Sequence, residues 1–272
     1  MLRRLAARFS LALLGLGLCA SFATPEHHAL ELDTRSAAYR VSRHFAAGLE
    51  YLLIEPRELP EDAELPMVVY LHGRSSVPTP PNQAFYDLET PVRVIMPRGP
   101  ARSGAGYAWM PVSARGGETP ELTGALVENA ARLARAMGEW RQRHPTRGRP
   151  IVMGFSQGGM LTMELALHHP EAISAAIPLA GWVPPTRMPA RRDPYGPAIQ
   201  IRGVHGSADP ILSASRSVSV VRRLEALGYP ADIEVVRGAR HEMTLEMREL
   251  ARERLQDALS RLPSQVEGRG NS

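Results

Sequence analysis

Gly154, Phe155, Ser156, Gln157 and Gly158 read G-x-S-x-G, with the apolar run Ile151–Phe155 before them and a helical pattern beginning at Gln157. A sharp strand-to-helix turn of this kind lifts a serine hydroxyl clear of the backbone, and its glycines let neighbouring segments come close. The five-residue pattern is short enough to occur by chance, so its strand and helix setting carries the weight. A serine hydroxyl is a poor nucleophile at neutral pH. It needs a base, and the base needs a third group to fix its tautomer and balance its charge. Two later residues suit those roles in the order serine, acid, histidine. Asp209 stands in His205-Gly206-Ser207-Ala208-Asp209-Pro210, after the run Ile199–Val204. His241 stands in Gly238-Ala239-Arg240-His241, after the run Ile233–Val236. Both are expected at the carboxyl ends of strands, on the edge that carries Ser156. Asp193 also precedes a proline, but it comes before its strand and ranks behind Asp209 as the acid.

Such chemistry also needs two donors aimed at the oxyanion of a tetrahedral intermediate. The backbone N–H of Gln157 offers one. The segment Leu71-His72-Gly73-Arg74, at the end of the run Met67–Leu71, offers the other through the Arg74 N–H. His72 and His205, each beside a glycine at a strand end, are expected to order loops rather than carry protons. His27, His28, His168 and His169 form no metal-binding spacing, and H-E-x-x-H is absent. No metal or cofactor is expected. Trp109 and Met110 in one loop, and Trp182 and Val183 after the strand ending at Leu179, are candidates to contact substrate; ordinary core packing competes as an explanation.

The elements that must position these residues are visible in the hydrophobic pattern. Tyr39–Phe45 and Leu49–Glu55 alternate loosely and predict an antiparallel hairpin at an edge. Short apolar runs follow at Met67–Leu71, Val92–Met96, Ile151–Phe155, Ile173–Leu179, Ile199–Val204 and Ile233–Val236, as in a parallel sheet covered on both faces. Between them lie helical stripes. Leu126, Ala130, Leu133, Met137 and Trp140 form one; others span Gln157 to His168, about Ser213 to Leu227, and a last helix with Met247, Ala251, Leu255, Ala258 and Leu262. This alternation predicts a doubly wound α/β domain over residues 39–262. Ser75–Asn82 and Ala101–Glu118, rich in Gly, Pro or Ser, are expected as long loops forming the walls of the site.

Composition narrows the setting. The chain has 272 residues with 44% hydrophobic and 22% charged, which suits one folded domain with a substantial core. All 32 basic residues are arginine, against 28 acidic residues. Arg3, Arg4 and Arg8 lie before any acidic residue, and without them the charges nearly balance, so a nucleic-acid partner is not indicated. The same arginines precede an apolar stretch, Leu11–Leu18, and the small residues Ser21 and Ala23. That order predicts a signal peptide over residues 1–23 and export to the periplasm or medium; the stretch is short for a transmembrane span. Residues 24–38 and 263–272 are expected to be flexible. The single cysteine, Cys19, falls within the leader, leaving no thiol for disulfides, catalysis or zinc in the mature chain.

Taken as a set, Leu71-His72-Gly73, Gly-Phe-Ser-Gln-Gly-Gly at 154–159, His205-Gly-Ser-Ala-Asp209-Pro and the late His241 resemble the phospholipase/carboxylesterase family that includes acyl-protein thioesterases. The likeness runs over about residues 66–260. It implies an α/β-hydrolase fold, no cofactor, and hydrolysis of esters or thioesters with apolar acyl chains, on small-molecule or lipid substrates. It further implies that Ser156, Asp209 and His241 form the triad, with Arg74 and Gln157 at the oxyanion. Arg74, Ser75 and Ser76 depart from the small or apolar residue and second glycine usual after His-Gly, and put a cation at the mouth. Depolymerisation of exported polyesters, or removal of acetyl or feruloyl groups from polysaccharides, is an alternative within the same chemistry. A catalytically silent hydrolase fold used for binding lies outside it.

Overall fold

The computed structural model describes residues 38–79 and 88–263. The expected leader at 1–23, nearly all of the flexible segments at 24–38 and 263–272, and residues 80–82 of the first expected loop lie outside these.

Eight strands form one sheet in the order β1-β2-β4-β3-β7-β8-β9-β10: β1 (Tyr39–Ala46), β2 (Leu49–Pro56), β3 (Met67–Leu71), β4 (Arg93–Pro97), β7 (Ile151–Phe155), β8 (Ala175–Leu179), β9 (Gln200–Gly206) and β10 (Ala231–Val236). β1 and β2 pair antiparallel, as do β2 and β4; every other pairing is parallel. Parallel strands need crossovers, and the helices supply most of them: α1 (Pro120–Arg143), α2 (Gln157–His168), α3 (Ala214–Ala226) and α4 (Leu245–Ser260). The chain has the α/β-hydrolase architecture, a mostly parallel sheet with an antiparallel N-terminal hairpin.

The period-2 pleat divides each apolar run between two layers. Val69 and Val152 face the layer built with α1, α2 and α3, while their neighbours Val68, Ile151 and Met153 face the layer built with α4. Helix α1 shows why its sequence is helical. Thr119 caps it by accepting from the Leu122 N–H, Pro120 sits at the first turn, and Leu122, Leu126, Leu133, Met137 and Trp140 are completely buried along one stripe. Each such side chain contributes roughly 1.5–3 kcal/mol.

Three expectations need correction. Of the expected edge hairpin, only β1 lies at the edge; β2 lies inside the sheet with seven of its eight residues buried. At the other edge, β10 leaves Glu234 and Val235 exposed rather than covered, and no further strand pairs with it among the described residues. The stretch 101–118 is not a plain loop. It contains a small hairpin, β5 (Ala101–Ser103) with β6 (Gly106–Ala108), then a 3-10 turn at Ala114–Gly116.

Candidate active site

Ser156 sits between β7 and α2 with φ 57° and ψ −115°, in a region that side chains rarely occupy. Tight packing holds it there. A Cβ at Gly154 would stand 2.4 Å from the Gly158 carbonyl oxygen, and one at Gly158 would stand 2.0 Å from that of Leu71. Glycine at both positions is therefore a condition of the turn, and the Ser156 N–H is tied to the Leu179 carbonyl at 2.9 Å.

The acid and the histidine arrive on two loops that are fastened together. Ser207 N–H donates to Val236 O, Ala208 N–H to Ala239 O, and Gly238 N–H to the Ser207 hydroxyl. Asp209 then uses both carboxylate oxygens. Oδ1 accepts from Ile211 N–H at 2.8 Å and Leu212 N–H at 2.9 Å, a turn closed on its own backbone. Oδ2 lies 2.6 Å from His241 Nδ1 and 3.2 Å from His205 Nε2. On the far side of the ring, His241 Nε2 lies 2.9 Å from Ser156 Oγ. An ionised carboxylate only accepts, so Nδ1 carries the proton and Nε2 is left to accept from the serine. Phe155 packs against the imidazole, with ring centroids 4.9 Å apart.

Burial by itself pushes the Asp209 carboxyl up. The hydrogen bonds from His241, Leu212 and Ile211 outweigh that and hold it below its ordinary value. Burial pushes His205 down, against the Leu212 carbonyl and Asp209, so it stands neutral and donates through Nε2. His72 is likewise pushed down by burial. Its Nδ1–H donates to Gly73 O and its Nε2 accepts from Gly99 N–H, which orders the loop behind Gly73.

A cavity of about 800 Å3 opens over Ser156 and His241, and Arg74 and Gln157 lie in its wall. Gln157 is the first residue of α2, where the helix offers no internal acceptor for its N–H. Its side chain does something the sequence does not announce. Oε1 accepts from Trp109 N–H and Met110 N–H, and Nε2 donates to Met110 O and Val112 O, all between 3.0 and 3.2 Å. This fastens the 109–112 loop to the serine turn.

Trp109, Met110 and Trp182, expected as substrate contacts, do not line this cavity. Trp109 is 1% exposed and donates its indole N–H to His72 O; Met110 is fully buried. Trp182 and Val183 are buried as well and border a separate cleft beside α3. The aromatic ring turns inward because the loop's backbone is held by Gln157 and by Asn129, whose amide donates to Trp109 O. Tyr70, Met96, Met153, Phe155, Met243 and Ala251 supply the apolar wall instead. Among the described residues no group of His, Cys, Asp and Glu is arranged to hold a metal, and no helix is long and apolar enough to cross a membrane.

Comparison with known proteins agrees with the fold. Solved structures that resemble it include acyl-protein thioesterase 2 from Zea mays, with TM-score 0.61 and 20% identity over 77% of this chain and 98% of that one. A Bacillus cereus carboxylesterase gives TM-score 0.61 at 18% identity, over 77% and 94%. In sequence, the chain is 29% identical over 110 residues to acyl-protein thioesterase 1 homolog 2 of Dictyostelium discoideum, covering 40% of this chain and 49% of the relative. It is 39% identical over 60 residues to a putative esterase, NocK, of Nocardia uniformis, covering 22% of this chain and 17% of the relative. The matched stretches thus span half or less of these relatives' length. The family model described as Phospholipase/Carboxylesterase matches residues 55–258, from β2 to the end of α4, and the chain belongs to that family of hydrolases.

Proposed function

We propose that this protein hydrolyses carboxylic esters or thioesters through an acyl-enzyme on Ser156. The reading rests on one observation above all, the unbroken relay in which Ser156 Oγ, His241 and Asp209 stand 2.9 and 2.6 Å apart. His241 Nε2 takes the hydroxyl proton as Oγ attacks the carbonyl carbon. Asp209 fixes the tautomer and supports the imidazolium that results. The carbonyl oxygen, now an oxyanion, is met by the N–H groups of Gln157 and Arg74. Collapse of the intermediate passes the proton to the leaving alcohol or thiol. Water then repeats the sequence on the acyl-enzyme and releases the acid.

Fluorophosphonate treatment followed by peptide mass analysis tests this directly. An adduct on Ser156, together with turnover of a small ester that falls at least on the order of 10³-fold in Ser156→Ala, is the expected result. A folded protein that takes no adduct is a binding module on a hydrolase fold, and the proposal is then wrong.

The same reading includes export. Residues 1–23 serve as a signal peptide, and residues 39–262 form the hydrolase domain. Terminal sequencing of the protein expressed in its native host is expected to begin at Thr24; an intact Met1 on protein retained in the cytosol refutes export.

A further inference from the structure

The cavity over Ser156 has an unbalanced charge. Among its described lining residues there are three arginines, Arg74, Arg115 and Arg248, and no aspartate or glutamate. None of the three has a carboxylate partner among the described residues. Several other sheltered arginines do find carboxylates: Arg93 with Glu55, Arg187 with Glu164, Arg202 with Asp232 and Asp257, and Arg254 with Asp232.

Arg248 is the most informative of the three. It is half-buried, its Nε–H donates to Met243 O at 3.0 Å, and neither of its terminal nitrogens meets an acceptor among the described residues. It shares the cavity wall with Tyr70, Met96, Met153, Met243 and Ala251, an apolar lobe beside the triad. Its charge reaches the Tyr70 phenol, which burial pushes up and Arg248 draws back down. Arg248 also stands in the first turn of α4, where Thr244 is the cap and the positive end of the helix dipole disfavours a cation. A residue that breaks the local charge rule, and is left unpaired in an apolar wall, is better accounted for by a ligand than by stability.

We propose that this cavity selects esters carrying a negatively charged group, and that Arg248 reads that group while Arg74 and Arg115 draw it to the mouth. The inference rests on the esterase reading above and narrows its substrate class. A guanidinium meets a carboxylate or phosphate through two parallel N–H donors, and the apolar lobe lowers the dielectric so that the contact strengthens. A neutral chain of similar length fills the same lobe but leaves the guanidinium without its anion. The ester's own chemistry is unchanged: the anion is a handle, distant from the bond that breaks.

Two matched pairs of chromogenic or phenolic esters test this. The first puts the charge on the acyl side, 4-nitrophenyl hexanoate against the mono-4-nitrophenyl ester of adipic acid. The second puts it on the alcohol side, phenyl butyrate against 4-(butyryloxy)benzoate. The expected result is a kcat/KM at least about tenfold higher for the charged member of one pair, falling as salt is raised. In Arg248→Gln the charged-to-neutral ratio drops toward one, and Arg248→Lys retains part of it; denaturation midpoints for both variants establish that they fold. Equal or lower kcat/KM for the charged member in both pairs overturns the proposal, as does an unchanged ratio in a folded Arg248→Gln. Turnover of the neutral esters and labelling of Ser156 would survive either outcome, so this failure is distinct from failure of the esterase reading.

Discussion

Asp209 gathers four hydrogen bonds on one carboxylate, and its behaviour follows from their directions. Four donors converge on its two oxygens: two backbone N–H groups, His241 Nδ1–H and the neutral His205. Asn at this position would present an amide N–H to an imidazole nitrogen that must itself donate, which favours the wrong tautomer. Asp209→Asn is expected to lower kcat by on the order of 10³–10⁴-fold while leaving Ser156 in place. A stability consequence accompanies it. The carboxyl is held below its ordinary value in the folded chain, so its ionised form stabilises the fold at every pH above the unfolded-state value. That contribution drains away as pH falls through the folded-state value. Urea titrations are therefore expected to show the largest gap between the native chain and Asp209→Asn near neutrality, narrowing in acid. A gap that widens in acid contradicts the assignment of the depressed carboxyl to Asp209.

At the scale of elements, the contact between the start of α2 and the 109–112 loop separates two roles of Gln157. Its backbone N–H belongs to the proposed oxyanion site, whereas its side chain satisfies two buried N–H groups and two carbonyls of the loop. Gln157→Met keeps the volume and the backbone donor but strands those groups. A buried unsatisfied group costs about 1–3 kcal/mol, so a loss of roughly 2–4 kcal/mol in unfolding free energy is expected, with Ser156 still open to a fluorophosphonate. Equal stability would mean that water or a shifted loop satisfies the backbone. The same contact shows what a sequence does and does not reveal. The turn at Ser156 was legible because strand, glycines and helix are contiguous and each obeys a local rule. The loop was not, because β5 and β6 are three residues each with no apolar run, and they pair through backbone groups. Trp109 and Met110 were misplaced for a related reason. Residue type says that a tryptophan will be sheltered, but which side of the loop it turns to depends on Gln157 and Asn129, both distant in sequence.

For the molecule as a whole, the sheet divides labour between its two ends. The carboxyl ends of β7, β9 and β10 present Ser156, Asp209 and His241, and the strained turn there is held by glycines packed against Leu71 and Gly158. The opposite end is held by a buried ion pair. Arg93, the first residue of β4, is fully buried; its Nε donates to Glu55 at the end of β2, and its terminal nitrogens donate to the carbonyls of Pro145, Glu61 and Ala63. One side chain thus joins the antiparallel hairpin, the connection into β3 and the end of α1. Removing a single member of a buried pair leaves a charge without compensation, typically at a cost of about 3–5 kcal/mol. Arg93→Met is expected to lose about that much, visible as a lower urea midpoint. Its kcat at a temperature where the chain stays folded should match the parent, since nothing at the site touches Arg93. Adding Glu55→Leu should restore much of the stability, because the buried charge is then gone and hydrocarbon fills its place. If the double variant is no better than Arg93→Met, the carbonyl contacts rather than the ion pair hold this end of the sheet. If kcat falls with Arg93→Met at full folding, the two ends are coupled and the division of labour is wrong.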